Sequence, residues 1–219
     1  MKTSLMAVVA LCAMTAAGHA QTKPDNTQFN LRAPAKTIPC LSADGSSEPS
    51  AVVQVLRGAV NDRMTIQVSG LKPNLQFDLF TVERSNLDAN GNVDPNFTGS
   101  FGLAWYQTDL NADSNGNAKA TIQTILLDQI FGFDADKRAD GSVILAPTNT
   151  FHVGFWFNNP QDAAPCGFDA TMPTPFNGEH KAGPVAMISL PDAKTGLGPL
   201  CTSPTGAGAN APSPQACNP

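Results

Sequence analysis

The stretch RMTIQVSGL, residues 63–71, alternates strictly: Met64, Ile66 and Val68 fall on one side, Arg63, Thr65, Gln67 and Ser69 on the other. A period of two belongs to a half-buried β-strand, because successive side chains leave an extended backbone in opposite directions. A strand with one apolar face needs a second layer to cover it, so this pattern restricts the chain to architectures in which sheet packs on something. Six further runs carry the same chemistry: AVVQVLR (51–57), FDLFTVE (77–83), FGLAWYQ (101–107), AKATIQTIL (118–126), TFHVGFWFN (150–158) and PVAMISL (184–190). Gly, Pro, Asn and Asp collect between them, as turns require. No long segment shows helical periodicity, and only ILLDQIFGF (125–133) offers a short turn of helix. Closely spaced strands without crossover helices predict an all-β, antiparallel sandwich or barrel. The expectation is a β-sandwich of about seven strands.

The ends divide the chain further. MKTSLMAVVALCAMTAAGHAQ has a basic start, an apolar run from Leu5 to Ala17, and small residues at Gly18 and Ala20. This is the pattern of a secretory signal peptide cut near Ala20, so the product is expected to be secreted or periplasmic. Lipoprotein processing at Cys12 is the rival, but it wants a small residue where Leu11 stands. The Leu5–Ala17 run is too short to span a bilayer as a permanent anchor and no second long apolar run exists, so no transmembrane segment is expected. Residues 21–50 read as an irregular N-terminal segment, 51–192 as the sandwich and 193–219 as a Gly/Pro/Ala-rich tail. Loss of Lys2 with the leader takes the net charge from −5 to −6. That acidity argues against nucleic acid and anionic membranes as partners.

Four cysteines stay with the exported part: Cys40, Cys166, Cys201 and Cys217. An even number in an exported chain reads as two disulfides, with three possible connectivities. Cys201–Cys217 closes the shortest loop, which would leave Cys40–Cys166 as the second bridge. A zinc site is the alternative, but there is no CxxC pair to seed it.

Residues 52–83, VVQVLRGAVNDRMTIQVSGLKPNLQFDLFTVE, resemble the opening of immunoglobulin-like and fibronectin-type sandwich modules, in which a strand, a GLxP turn and a second strand recur. The same strand–Gly-Leu–strand rhythm is similar to that of the Cu/Zn superoxide dismutase sandwich. The segment FGLAWYQTDL (101–110) resembles segments of secreted bacterial sandwich proteins of unassigned function. These resemblances imply an immunoglobulin-like sandwich fold. The dismutase metal site does not carry over: it needs several histidines, including a His-x-His pair, and beyond the leader the chain has His152 and His180 alone.

Two places invite a functional reading. DLNADSNGNA (109–118) puts oxygen-bearing side chains on every second residue, and NLDANGNVD (86–94) has a similar rhythm. Calcium loops use that spacing, so Asp88, Asp94, Asp109 and Asp113 are candidate Ca2+ ligands, although the bidentate Glu of an EF-hand is replaced by Phe97 and Ala120. DADKRADG (134–141) is a third acidic loop, diluted by Lys137 and Arg138. The competing reading makes Asn115-Gly116 a hairpin turn between the fourth and fifth strand candidates. The other place is the sixth run. If Phe151, Val153, Phe155 and Phe157 face the core, His152 and Trp156 stand exposed across the gap left by Gly154, with Tyr106 or Trp105 nearby. Exposed aromatic groups beside polar ones suit a glycan or a partner protein. The competing reading covers that face with another segment.

Motifs for a hydrolase, a zinc protease or a phosphate loop are absent. Asn96-Phe97-Thr98 matches the N-glycosylation pattern. The expected function is therefore that of an exported, non-enzymatic binding or structural module, its ligand a protein, an envelope component or a glycan. The alternatives are a calcium-stabilised module and a secreted hydrolase whose site the sequence hides.

Overall fold

The computed structural model describes residues 26–56, 61–124, 132–134, 140, 145, 148, 150–171 and 182–201. The expected signal peptide, His180 and Cys217 lie outside the described residues. All seven strand candidates are strands: β2 (Ser50–Leu56), β3 (Asp62–Ser69), β4 (Gln76–Val82), β5 (Leu103–Asn111), β6 (Ala118–Thr124), β8 (Thr150–Phe157) and β9 (Val185–Ser189). Three more join them: β1 (Asn26–Arg32), β7 (Gly132–Asp134) and β10 (Leu200–Cys201). The strands are antiparallel and follow a single hydrogen-bonded path, β6-β3-β2-β1-β9-β8-β4-β5-β7, with β10 beside β8. The sheet wraps until its ends almost meet, so the architecture is barrel-like.

Two expectations need correction. Residues 21–50 are not an irregular lead-in throughout, because β1 lies in mid-sheet between β2 and β9. Nor is the tail structureless from residue 193 onward, since Leu200 pairs with Phe151. Most of the 125–133 run, where a short turn of helix is expected, lies outside the described residues, and Gly132–Asp134 is a strand paired with β5.

The inward residues of all the long strands meet in one core that includes Val53, Val55, Met64, Ile66, Phe77, Leu79, Phe155 and Phe157. Phe77 packs edge-on against Phe155 with ring centroids 4.9 Å apart. Two short helices plug one side. Pro at the second position of α1 (Ile38–Leu41) and Pro160 at the start of α2 (Pro160–Ala163) suit helix openings, where no N–H is needed. Asn159 caps α2 by accepting from Gln161 N. A 3-10 turn, Ala164–Cys166, follows, and Cys40–Cys166 is a disulfide with Cα atoms 5.9 Å apart. Cys201–Cys217 lies partly outside the described residues.

A smaller core sits on the outside of the sheet: Phe80, Val82, Leu87, Ala104, Trp156, Val185 and Ile188. A single extra residue on β5 shapes it. The β4–β5 register shifts between Leu79↔Thr108 and Phe80↔Tyr106, which leaves Gln107 as the extra residue of a bulge. Trp105 consequently points inward onto Phe151, and Tyr106 outward onto Phe80.

Candidate functional site

The acidic loops turn their carboxylates toward their own backbone. Asp88 Oδ1 accepts from the N–H groups of Asn90 and Asn92 at 2.8 and 3.0 Å. Asp113 Oδ1 accepts from Asn115 and Asn117 at 2.8 and 2.9 Å. Both loops share the pattern Asp-x-Asn-Gly-Asn, and Gly91 and Gly116 supply the positive φ that closes it. These backbone donors hold both carboxyls below the usual carboxylate range, with Asn92 and Asn117 the largest contributors. Asp94 caps the N–H of Asn96 in the same manner, and Asp109 Oδ1 accepts from the Tyr106 hydroxyl at 2.6 Å. Among the described residues no group of three or more His, Cys, Asp and Glu side chains could hold a metal ion.

The hairpin reading of Asn115-Gly116 also needs correction. β5 and β6 do not pair with each other along the sheet; they lie toward its opposite ends. The loop between them crosses the seam and docks on the β3–β4 connection. Leu71 N donates to Gly116 O, Asn74 N to Asp113 O, and Ala112 N to Leu75 O. Any side chain at position 116 would run into the carbonyl of Leu71. At Asp113–Asn117 the Asp-x-Asn-Gly-Asn pattern is thus a corner that fastens the two sheet ends together.

His152 and Trp156 are not exposed: their relative exposures are 1% and 0%. β8 runs between β4 on one side and β9 and β10 on the other. Its outer face is covered as well, and Gly154 leaves a gap that the Trp156 ring and Ile188 fill. Trp156 meets Phe80 and Phe101 edge-on, with centroids 5.4 and 5.1 Å away. His152 Nδ1 lies 2.9 Å from the carbonyl oxygen of Ser189, so it donates, and this selects the Nδ1–H tautomer.

Burial pushes the His152 pKa down to about 4, against a smaller upward pull from the Ser189 carbonyl. The folded value thus lies below the unfolded one, near 6.5. Stability is full above pH 6.5 and falls as the pH drops toward 4, because the unfolded chain binds the proton more readily. The expected loss across that window is roughly 3 kcal/mol. Urea melts of the wild type and of His152→Asn should diverge in slope between pH 6.5 and 4; parallel curves would remove His152 from this role.

Asp78 and Asp109 stand opposite each other across β4 and β5, yet Asp78 is fully buried and Asp109 is engaged by Tyr106. A cleft of about 300 Å³ opens among the loops outside β4, lined in part by Arg84, Asp94, Asn96 and Phe97. Arg84 there sits 3.8 Å from the buried Glu83, whose carboxylate accepts from Leu103 N and Thr148 N. Glu83 thereby ties two loops to the end of β4.

Sequence reasoning passed over a second, polar opening. It is a groove of about 590 Å³ at the end of the β2–β3–β6 face, where Ser50, Gln67, Ser69, Asn111, Asn117 and Lys119 converge. The face itself is a grid. One row reads Gln28, Gln54, Thr65, Thr121, and the next Asn30, Val52, Gln67, Lys119. The Thr65 and Thr121 hydroxyls lie 3.3 Å apart. Most of these side chains are exposed. Their signal was the polar half of the RMTIQVSGL alternation, repeated in NTQFNLR (26–32).

No protein-family model matches this chain, and no curated protein matches it. No helix among the described residues is long and apolar enough to cross a membrane.

Proposed function

We propose that this chain is an exported, non-catalytic binding module that offers the outer face of β1, β2, β3 and β6 to a glycan. The observation that carries the reading is the amide and hydroxyl grid Gln28–Gln54–Thr65–Thr121, held in register by three strand pairs and leading into the polar groove. A hydroxyl-rich ligand needs donors and acceptors at fixed spacing. Side chains on paired strands stand about 4.8 Å apart across the sheet and about 6.8 Å apart along alternate residues. Rigid strands also spare the ordering cost that loops would incur on binding. Export is supported by residues 1–20, which have the build of a cleavable leader. The two-layer, immunoglobulin-like description belongs with this proposal: β6-β3-β2-β1 would form one layer and β9-β8-β4-β5 the other. The calcium reading draws little from loops whose Asp oxygens serve their own backbone, and Asp78 has no solvent access for hydrolysis.

The test is retention on a panel of immobilised polysaccharides by the intact chain and by Thr65→Val/Thr121→Val. Exposed substitutions of this kind change stability by no more than about 0.5 kcal/mol each. The intact chain should be retained on at least one polysaccharide and the double variant released. Retention on none, or equal retention of both, would contradict the proposal.

A further inference from the structure

The polar face has a one-sided charge. Its outward positions on β1, β2, β3 and β6 carry Arg32, Arg63 and Lys119 and not one carboxylate, in a chain whose net charge is −5. Arg32 is neutralised by Glu48, which accepts from its Nε at 2.9 Å and from the N–H of Ala33 at 2.6 Å. Arg63 and Lys119 have no such partner among the described residues, and both are exposed.

Their placement is set by the register. Arg63 opposes Gln123, Thr65 opposes Thr121, and Gln67 opposes Lys119. The two cations therefore flank the threonine pair diagonally, with Cα atoms roughly 14 Å apart at ordinary strand spacings. Lys119 also lines the groove. Asp113, at the groove wall, has Oδ1 committed to the N–H groups of Asn115 and Asn117.

From this arrangement we infer that the ligand is an acidic polysaccharide, a hydroxyl-rich chain bearing carboxylates on separated sugar units. This inference rests on the glycan reading of the face and adds the charge of the ligand. Threonine and amide groups in the middle of the face meet sugar hydroxyls, and Arg63 and Lys119 meet uronate carboxylates on either side. A cationic glycan would find no acid at the outward strand positions of the face, and in the groove only Asp113, whose Oδ1 already serves the loop backbone. A neutral one would make no use of the only two unpaired charges described there.

The experiment is affinity electrophoresis of the full exported chain, disulfides intact, through gels containing polygalacturonate, a neutral cellulose derivative, or duplex DNA. Polygalacturonate should retard the chain at low salt, and Arg63→Gln/Lys119→Gln should weaken this about tenfold and abolish its salt dependence. Retardation by polygalacturonate that the charge variant leaves unchanged would overturn the inference. So would equal retardation by DNA, which would make the face a general polyanion patch. Retardation by the cellulose derivative alone, lost in Thr65→Val/Thr121→Val, would overturn the acidic ligand and leave the glycan face standing. Failure of every glycan to retard the chain would sink both.

Discussion

Replacing Trp156 by alanine will lower the melting temperature by roughly 6–20 °C. The side chain is fully buried in the outer core, filling the gap over Gly154 and meeting Phe80 and Phe101 edge-on. Truncating a buried aromatic group removes its transfer free energy and leaves a cavity, at a cost of about 3–5 kcal/mol. For a domain of this size each kcal/mol moves the midpoint by roughly 2–4 °C. The second core also keeps the outside of β4 and β8 dry, so the loops over it should loosen first. Thermal melts by circular dichroism check this. An unchanged midpoint would mean that Trp156 is accessible and the outer core is not formed.

Removing the Cys40–Cys166 disulfide comes next in size. The bridge joins α1 to the 3-10 turn after α2 across a sequence separation of 126, and Cys40 is itself in the core. Closing a loop that long restricts the unfolded chain severely, and losing the bridge costs about 2–5 kcal/mol. Cys40→Ala/Cys166→Ala should therefore melt roughly 4–20 °C below the oxidised wild type. The deficit should come from easier unfolding rather than from a changed fold, because β1 and β9 do not depend on the bridge for their pairing. Equal midpoints would show that α1 and α2 are held by packing alone.

The strands were legible because alternation is a local signal. RMTIQVSGL could face only one way, and β3 has Met64, Ile66 and Val68 buried as its pattern demands. TFHVGFWFN misled for the opposite reason. It alternates weakly because β8 is buried on both faces, and a strand of that kind reads as a nearly continuous apolar run. Reading His152 and Trp156 as exposed imposed an alternation that the residues lack. β1 escaped notice because Phe29 and Leu31 alone mark its inner side among Asn and Gln.

The acidic loops show a further limit. Asp-x-Asn-Gly-Asn looks the same whether its oxygens face a cation or the loop's own N–H groups. Contact between Gly116 and Leu71 decides the matter, and that contact depends on how the sheet closes. The polar grid was hidden in another way: each strand showed its own polar side, but Gln28, Gln54, Thr65 and Thr121 become one row only when three registers are known.

The most direct test of the binding face is an NMR titration of the isotope-labelled chain with a polysaccharide that retains it. Backbone amide shifts should gather on Gln54, Thr65, Gln67, Lys119 and Thr121, along the face and into its groove. Shifts gathered instead at Arg84 and Asn96–Thr98, around the smaller cleft, would place the ligand on the opposite side of the molecule and contradict the account.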